Sequence, residues 1–210
     1  MKNISLIFTL FIFFNMLSQE SSNMDLVGQL DYPQGTNDVW GYSNGPIEYA
    51  LVGTRTGFSV VDISCPANPT EVFFISGSQS IWRDIKTWKN YAYVTTEAAD
   101  GLLIADLNDP TGQTYTYTEQ FFSTSHNIYI DENGIAYIFG ASSNIGGNPA
   151  NGAIFLDVAS NPTAPIYLGE WNDNYIHDGM VRGDTMWAGC IYAGRLFGVD
   201  EFNHYVVQKQ

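Results

Sequence analysis

Positive charge is scarce in this sequence. Its 210 residues include 8 Lys and Arg against 22 Asp and Glu, which gives a formal net charge of −14 at pH 7. Nucleic-acid backbones and anionic lipids attract basic surfaces, so we expect no nucleic-acid partner. An acidic surface is compatible with divalent cations or basic partners, and solubility alone explains it equally well.

Long apolar runs are missing beyond the N-terminus. Residues 1–19 have the form of an export signal, with a cation at Lys2, an apolar run over residues 4–14 and polar residues after Ser18. The run is too short to span a bilayer comfortably, so we expect cleavage near Ser18. The pattern predicts a secreted or cell-surface protein whose mature chain has no transmembrane span.

Cysteine and helical periodicity are also scarce. Cys65 and Cys190 are the only cysteines. An exported chain invites a disulfide, but Cys65 falls in an inter-strand loop and Cys190 within a strand pattern, in distant repeats. We therefore expect two free thiols. No stretch after the signal has the apolar period of a helix, which indicates an all-β fold.

One pattern occurs four times in the rest of the chain. Each copy begins with a polar pair and ends with a strand that closes on aspartate. The pairs are Asn37-Asp38, Arg83-Asp84, His126-Asn127 and His177-Asp178, and the closing residues are Asp62, Asp106, Asp157 and Asp200. A spacing of roughly 45 residues is typical of one four-stranded propeller blade. The sequence thus predicts a β-propeller of four-stranded antiparallel blades over residues 24–210, with repeats that start near 37, 83, 126 and 177.

Four strands are predicted in each repeat. They are Asp38–Gly41, Tyr49–Gly53, Phe58–Ile63 and Glu71–Ile75; Asp84–Trp88, Tyr91–Thr96, Leu102–Leu107 and Tyr115–Phe122; Asn127–Ile130, Ala136–Gly140, Ala153–Val158 and Ile166–Glu170; and Gly179–Val181, Met186–Cys190, Leu196–Asp200 and Tyr205–Gln208. Lys89-Asn90 and Asn133-Gly134 are the expected hairpin turns, and Asn-Gly between strands is a strong signal of this kind.

The segment Met24–Asp31 lies before the first repeat and resembles the outer strand of a blade. In a closed propeller such a strand completes the last blade and joins the two ends of the chain. The fourth repeat already has an outer strand, so the partners of Met24–Asp31 are expected beyond Gln210. This interpretation predicts an incomplete ring. The alternative is a four-bladed ring in which one strand is redundant.

Several runs resemble the LVIVD-repeat proteins of the choice-of-anchor B family. They are Tyr49–Ile63 (YALVGTRTGFSVVDI), Ile81–Glu97 (IWRDIKTWKNYAYVTTE), Gly101–Leu107 (GLLIADL), Ser125–Ile130 (SHNIYI) and Ile176–Gly179 (IHDG). The resemblance covers nearly all of residues 24–200. It implies an exported or surface-attached bacterial propeller, and it implies more about fold and location than about activity.

The polar pairs supply the candidate site, because the innermost strand of a blade begins beside the central channel. Asp38, Asp84, Asn127 and Asp178 form one aligned column, an oxygen-rich set that suits Ca²⁺. The other column contains Arg83, His126 and His177, which we expect to line the channel and contact a ligand. A structural role is the competing interpretation for both columns, since buried polar groups must be paired whatever the function.

No nucleophilic constellation is recognisable, and the closing aspartates are expected to bond the turns that follow them. We therefore expect an exported or cell-surface scaffold that binds a protein or a small molecule at the channel. The alternative function is a metal-dependent hydrolase with an ion, Ca²⁺ among the candidates, held on the propeller axis.

Overall fold

A computed structural model describes residues 24–142, 152–192, 195–200 and 206–208. The predicted signal peptide lies outside these residues, as does His204. The described part contains sixteen strands in four separate antiparallel sheets and no helix. Each sheet is a blade whose strands pair in chain order.

The strand bounds are as follows. Blade 1 contains β1 (Thr36–Asn44), β2 (Ile47–Thr54), β3 (Gly57–Asp62) and β4 (Thr70–Ser76). Blade 2 contains β5 (Arg83–Trp88), β6 (Tyr91–Thr96), β7 (Leu102–Asp106) and β8 (Tyr115–Thr118). Blade 3 contains β9 (Asn127–Ile130), β10 (Ile135–Phe139), β11 (Ala153–Asp157) and β12 (Ile166–Trp171). Blade 4 contains β13 (Asp178–Arg182), β14 (Thr185–Cys190), β15 (Arg195–Asp200) and β16 (Val206–Gln208).

The predicted all-β architecture is confirmed, and all sixteen predicted strands are present within a few residues of their expected bounds. The largest difference is β8, which ends at Thr118 rather than Phe122. Phe121 and Phe122 are buried, but they belong to the loop after β8 and pack between blades 2 and 3. These two residues are apolar because they are buried between blades, and they do not extend the strand.

Blades 2 and 3 each contribute to two hydrophobic cores, because side chains alternate between the two faces along each strand. In blade 2, Leu102 and Ile104 pack toward blade 3, whereas Leu103 and Ala105 pack toward blade 1. Successive side chains of a strand point to opposite faces, so a strand with a core on each side is apolar throughout. A third cluster, which includes Phe139, joins blades 3 and 4. The inner strands consequently contact one another in the order β1, β5, β9, β13.

Blade 1 has one face that none of the other three described blades covers. A cavity of about 760 Å³ lies on this face, between apolar strand residues such as Val39 and Val61 and the segment Met24–Asp31. That segment is in no strand, and Gly28 lies so close to Pro66 that a side chain at this position would collide with the Pro66 carbonyl. The predicted orphan outer strand thus lies beside blade 1 without a sheet partner among the described residues.

Two further findings concern the thiols and the membrane. Cys65 is exposed, Cys190 is buried, and both are free. Among the described residues, no helix has the length and apolarity needed to cross a membrane.

Candidate functional site

The polar pairs lie where the innermost strand of each blade begins. The N–H of His126 donates to the Phe139 carbonyl at 3.0 Å, and the N–H of His177 donates to the Gly189 carbonyl at 3.0 Å. In blades 3 and 4 the histidine of the pair therefore extends the ladder between the first two strands by one bond. Because the second strand runs antiparallel, its end and the loop after it share this edge of the blade.

The aspartate column links neighbouring blades. Asp38 Oδ2 accepts the Ile85 N–H of blade 2 at 2.9 Å, and Asp84 Oδ2 accepts the Ile128 N–H of blade 3 at 2.9 Å. Asp84 Oδ2 also accepts from Asn127 Nδ2. These carboxylates thus fasten a blade to the next one by the backbone of its innermost strand.

Charge around Asp84 is compensated within the protein. Lys86 Nζ lies 2.7 Å from Asp84 Oδ1, and this oxygen also accepts the Ile85 N–H. Burial, followed by the nearby charge of Asp84, raises the pKa of Asp38 above its ordinary value. Such a raised pKa is expected when two carboxylates approach each other.

The predicted calcium column is only partly brought together. Asp38, Asp84 and Asn127 form a chain of contacts, whereas Asp178 is exposed and accepts the N–H of its own neighbour Gly179 at 3.0 Å. Within the described ranges, no group of three or more His, Cys, Asp or Glu has the arrangement of a metal site. The calcium hypothesis stays a prediction.

Arg83 has a structural environment. Its guanidinium donates to the Thr54 carbonyl at 2.7 Å and to the Ser78 carbonyl, and only 5% of the residue is exposed. Burial lowers the pKa of this guanidinium, and Tyr117 and Asp100 partly offset the shift. Asn37 likewise donates to the carbonyls of Thr54 and Ser80, both at 3.3 Å. In blades 1 and 2, the first residue of each polar pair thus donates to backbone carbonyls.

The two histidines form a different arrangement. The rings of His126 and His177 are stacked, with centroids 3.6 Å apart and planes inclined by 29°. His126 Nδ1 lies 2.7 Å from Glu97 Oε1, and His177 Nδ1 lies 2.9 Å from the Tyr175 hydroxyl. Neither Nε2 atom has a hydrogen-bond partner among the described residues. Each ring is therefore fixed through one nitrogen and has the other available.

Aromatic side chains extend the stack in both directions. Trp82 packs against His126 with centroids 5.1 Å apart, and Tyr192 packs against Tyr175 at 5.0 Å. Trp82 is 45% exposed and Tyr192 is 82% exposed. We call these residues the ring cluster; its members are Trp82, Glu97, His126, Tyr175, His177 and Tyr192.

Burial, and to a lesser degree the neighbouring His126, lowers the pKa of His177 below its ordinary value of 6.5. Asp178 and Glu97 partly offset this shift. Burial also raises the pKa of Tyr175 above 10.0, with smaller contributions from Tyr192 and Glu97. At neutral pH, the His177 ring is therefore uncharged and the Tyr175 hydroxyl retains its proton.

Sequence reasoning singled out the two histidines but did not connect Glu97, Tyr175 or Tyr192 to them. A topological signal was present for two of these. Glu97 follows β6 directly, and Tyr192 follows β14 by two residues, so both lie in loops at the edge of the blade where the polar pairs begin. The loop position after the second strand of each blade identifies such partners.

The comparisons with known proteins agree with this architecture. Residues 37–76 and 82–115, which span blade 1 and most of blade 2, match the family model of the LVIVD repeat. Residues 37–76 and 82–115 are therefore similar to LVIVD repeats, which are associated with β-propeller proteins. No curated protein matches the chain in sequence.

Solved structures with a similar fold come from several bacteria. A Bacteroides uniformis protein assigned as a 6-phosphogluconolactonase is 12% identical with a TM-score of 0.57, and the periplasmic gluconolactonase of Pseudomonas aeruginosa is 11% identical with a TM-score of 0.55; both matches cover 83% of this chain and 53% of theirs. Hydrazine synthase of Kuenenia stuttgartiensis is 12% identical with a TM-score of 0.54, covering 91% and 51%. This chain spans about half the length of these proteins, and the likeness shows the fold alone.

Proposed function

We propose that this LVIVD-repeat chain is part of an exported or cell-surface propeller that acts as a binding scaffold, and that the ring cluster holds its ligand. The observation that carries the proposal is the stacked pair of His126 and His177, whose Nε2 atoms have no hydrogen-bond partner among the described residues. Polar atoms fixed at one end and available at the other are suited to contact a ligand.

The surroundings of the pair support a binding role. Trp82 and Tyr192 present aromatic surface at either end of the cluster, and such side chains offer apolar contact area together with a polar tip. Glu97 adds a carboxylate of which 43% is exposed. A ligand with a flat or cyclic apolar face and several polar groups would use all of these features.

Export and surface attachment are part of the proposal. They rest on the signal-like residues 1–19 and on the sequence resemblance to choice-of-anchor B proteins. Expression of the full chain in a bacterial host, followed by fractionation and N-terminal sequencing, tests this part. We expect a product that begins near Gln19 outside the cytoplasm. An uncleaved cytoplasmic product would contradict it.

The site itself can be tested with diethyl pyrocarbonate, which acylates accessible neutral imidazoles. We expect His126 and His177 to react in the folded chain at pH 7. If both resist the reagent in the folded chain and react only after unfolding, the Nε2 atoms are closed off and the proposed site is wrong.

Ligand binding is tested by calorimetry and tryptophan fluorescence. Gluconate and glucono-δ-lactone are suitable first probes, because a neighbour in fold is a gluconolactonase. We expect a binding signal that Trp82→Phe weakens. Trp40→Phe is the matched control, since Trp40 is also partly exposed but donates to Thr87 on the inner strand of blade 2. An equal effect of both substitutions would contradict binding at the ring cluster.

A further inference from the structure

The partner of His126 determines where the proton of that ring lies. An ionised carboxylate only accepts hydrogen bonds, so the 2.7 Å contact with Glu97 requires a proton on His126 Nδ1. In the neutral ring, Nε2 then has a lone pair. Since His126 Nε2 has no partner among the described residues, this lone pair is available as a base.

The partner of His177 favours the opposite tautomer. The Tyr175 hydroxyl retains its proton and contacts no other acceptor in the described part of the chain, so it donates to His177 Nδ1 across 2.9 Å. The neutral His177 ring then has its proton on Nε2. The stack therefore combines a base on one ring with a hydrogen-bond donor on the other.

From this complementary pair we propose that the ring cluster hydrolyses a small carboxylic ester or lactone, with His126 as general base and His177 as the donor to the carbonyl oxygen. The inference uses the site named under the proposed function and goes beyond binding. A neutral imidazole can polarise a carbonyl when its pKa is held low, and a base oriented by a carboxylate is the usual partner for an attacking water.

The proposed reaction balances with water as the only co-reactant. His126 Nε2 takes a proton from water while the water oxygen bonds to the carbonyl carbon, and the carbonyl π electrons move to oxygen. His177 Nε2–H donates to that oxyanion, and Glu97 stabilises the imidazolium. The bond to the leaving oxygen then breaks, and His126 returns the proton to it. The products are a carboxylic acid and an alcohol, or one hydroxy acid from a lactone.

Room for a substrate lies next to Glu97. A cavity of about 450 Å³, a volume suited to a small molecule, is lined by Arg55, Gln79, Ser80, Ile81, Glu97 and Ala98. Glu97 is the residue that this cavity shares with the ring cluster, and neither histidine lines it. The Arg55 side chain is exposed and makes no hydrogen bond or ion pair with another described residue. This guanidinium favours substrates with a carboxylate or several hydroxyl groups.

The experiment uses the full chain with 4-nitrophenyl acetate and glucono-δ-lactone as probes. His126→Asn should lower kcat roughly 10²–10⁴-fold through loss of the base. His177→Asn should lower it roughly 10²-fold through loss of the donor. Glu97→Gln and Tyr175→Phe test the positioning groups, and we expect kcat to fall while KM is held.

Free imidazole also cleaves activated esters slowly, so the matched control is His204→Asn, which removes the third histidine. This variant should retain the wild-type rate, and a chelator should not change it. Rates that are equal in wild type and His126→Asn, or equally lowered by His204→Asn, overturn the proposal. Loss of activity with a chelator would instead favour a metal-dependent hydrolase. Probe binding without turnover would reject the hydrolysis and leave the binding site standing.

Discussion

The polar pairs of blades 1 and 2 differ from those of blades 3 and 4. In the first two blades, Asp38 and Asp84 accept backbone N–H groups of the next blade, and Arg83 binds carbonyls of the preceding one. In blades 3 and 4, Asn127 Oδ1 is buried without a partner, and Asp178 accepts from its own neighbour Gly179 and from no other residue, as far as the described residues show.

Equivalent positions in the four repeats therefore have two different patterns of hydrogen bonding. Where the pair is Asp with Arg or Asn, its hydrogen bonds are used to hold blades together. Where the first member is His, the ring is fixed through Nδ1 and the second nitrogen is available. The fold thus supplies a repeated location at the start of the innermost strands, and the residue type decides how many of its polar atoms are bonded within the described part of the protein.

The largest expected effect is at the Asp84 junction. Asp84→Ala leaves the Ile128 N–H without its acceptor and removes the carboxylate that pairs with Lys86 Nζ, whereas the Ile85 N–H keeps Asp38 as an acceptor. We expect roughly 3 kcal/mol lower stability. Asp178→Ala is the control, with a change within about 0.5 kcal/mol because its carboxylate is exposed. Urea unfolding of both variants measures the difference.

Adding Ca²⁺ to the same variants tests whether the aspartate column binds a cation. In a structural junction, millimolar Ca²⁺ leaves the Asp84→Ala deficit unchanged. In a cation site, Ca²⁺ raises the melting temperature of the wild type because it binds the folded state preferentially. The rise should then be much smaller in Asp84→Ala and in Asp178→Ala.

A second prediction concerns Arg83, whose guanidinium spans blade 1 and the loop before β5. Arg83→Gln cannot reach both the Thr54 and Ser78 carbonyls, so we expect a loss of roughly 2 kcal/mol from charge-assisted bonds. Arg55→Gln, at an exposed arginine in the loop after β2, should change stability by less than about 0.5 kcal/mol. Equal effects in thermal unfolding would show that burial of Arg83 is unimportant.

The strands were predictable from the sequence because apolar alternation and turn residues are local. Lys89 has a φ of 53° and Gly134 a φ of 77°, as the two expected hairpin turns require. Asp62 and Asp106 accept the N–H two residues on, at 2.8 and 2.9 Å, which is the role expected for closing aspartates. Each of these features is decided within a few residues of the chain.

The site was only partly predictable, because its contacts join distant residues. Aligned repeats indicate that His126 and His177 occupy equivalent positions, but not that their rings stack. The Glu97 carboxylate belongs to blade 2, and its distance from His126 depends on how adjacent blades pack. Likewise, one aspartate column contains both the buried Asp84 and the exposed Asp178, a difference that depends on which blade follows.

A third prediction separates backbone strain from crowding at the ring cluster. Gly140 has a φ of 63°, and a Cβ there would lie 3.0 Å from the Cβ of His126. Gly183 has a φ of 56° with open space around it. Gly183→Ala should therefore cost about 1 kcal/mol from the left-handed backbone alone. Gly140→Ala should cost more and also shift the histidine resonances, which NMR detects; equal costs with unshifted resonances would contradict crowding.

The smallest effect is expected from the titration of His177. Its pKa in the folded chain lies below the ordinary value of 6.5, so below that pH the unfolded chain binds a proton that the folded chain does not. Stability should therefore fall as the pH drops from about 6.5 through the folded pKa.

His177→Gln should remove this part of the decline, as measured by urea unfolding between about pH 5 and 8. His126→Gln should remove a smaller part, because burial of His177 remains when the neighbouring ring is lost. Identical pH dependence in the wild type and His177→Gln would show that the stacked pair does not resist protonation. The polar pairs of blades 3 and 4 would then not differ in this respect from those of blades 1 and 2.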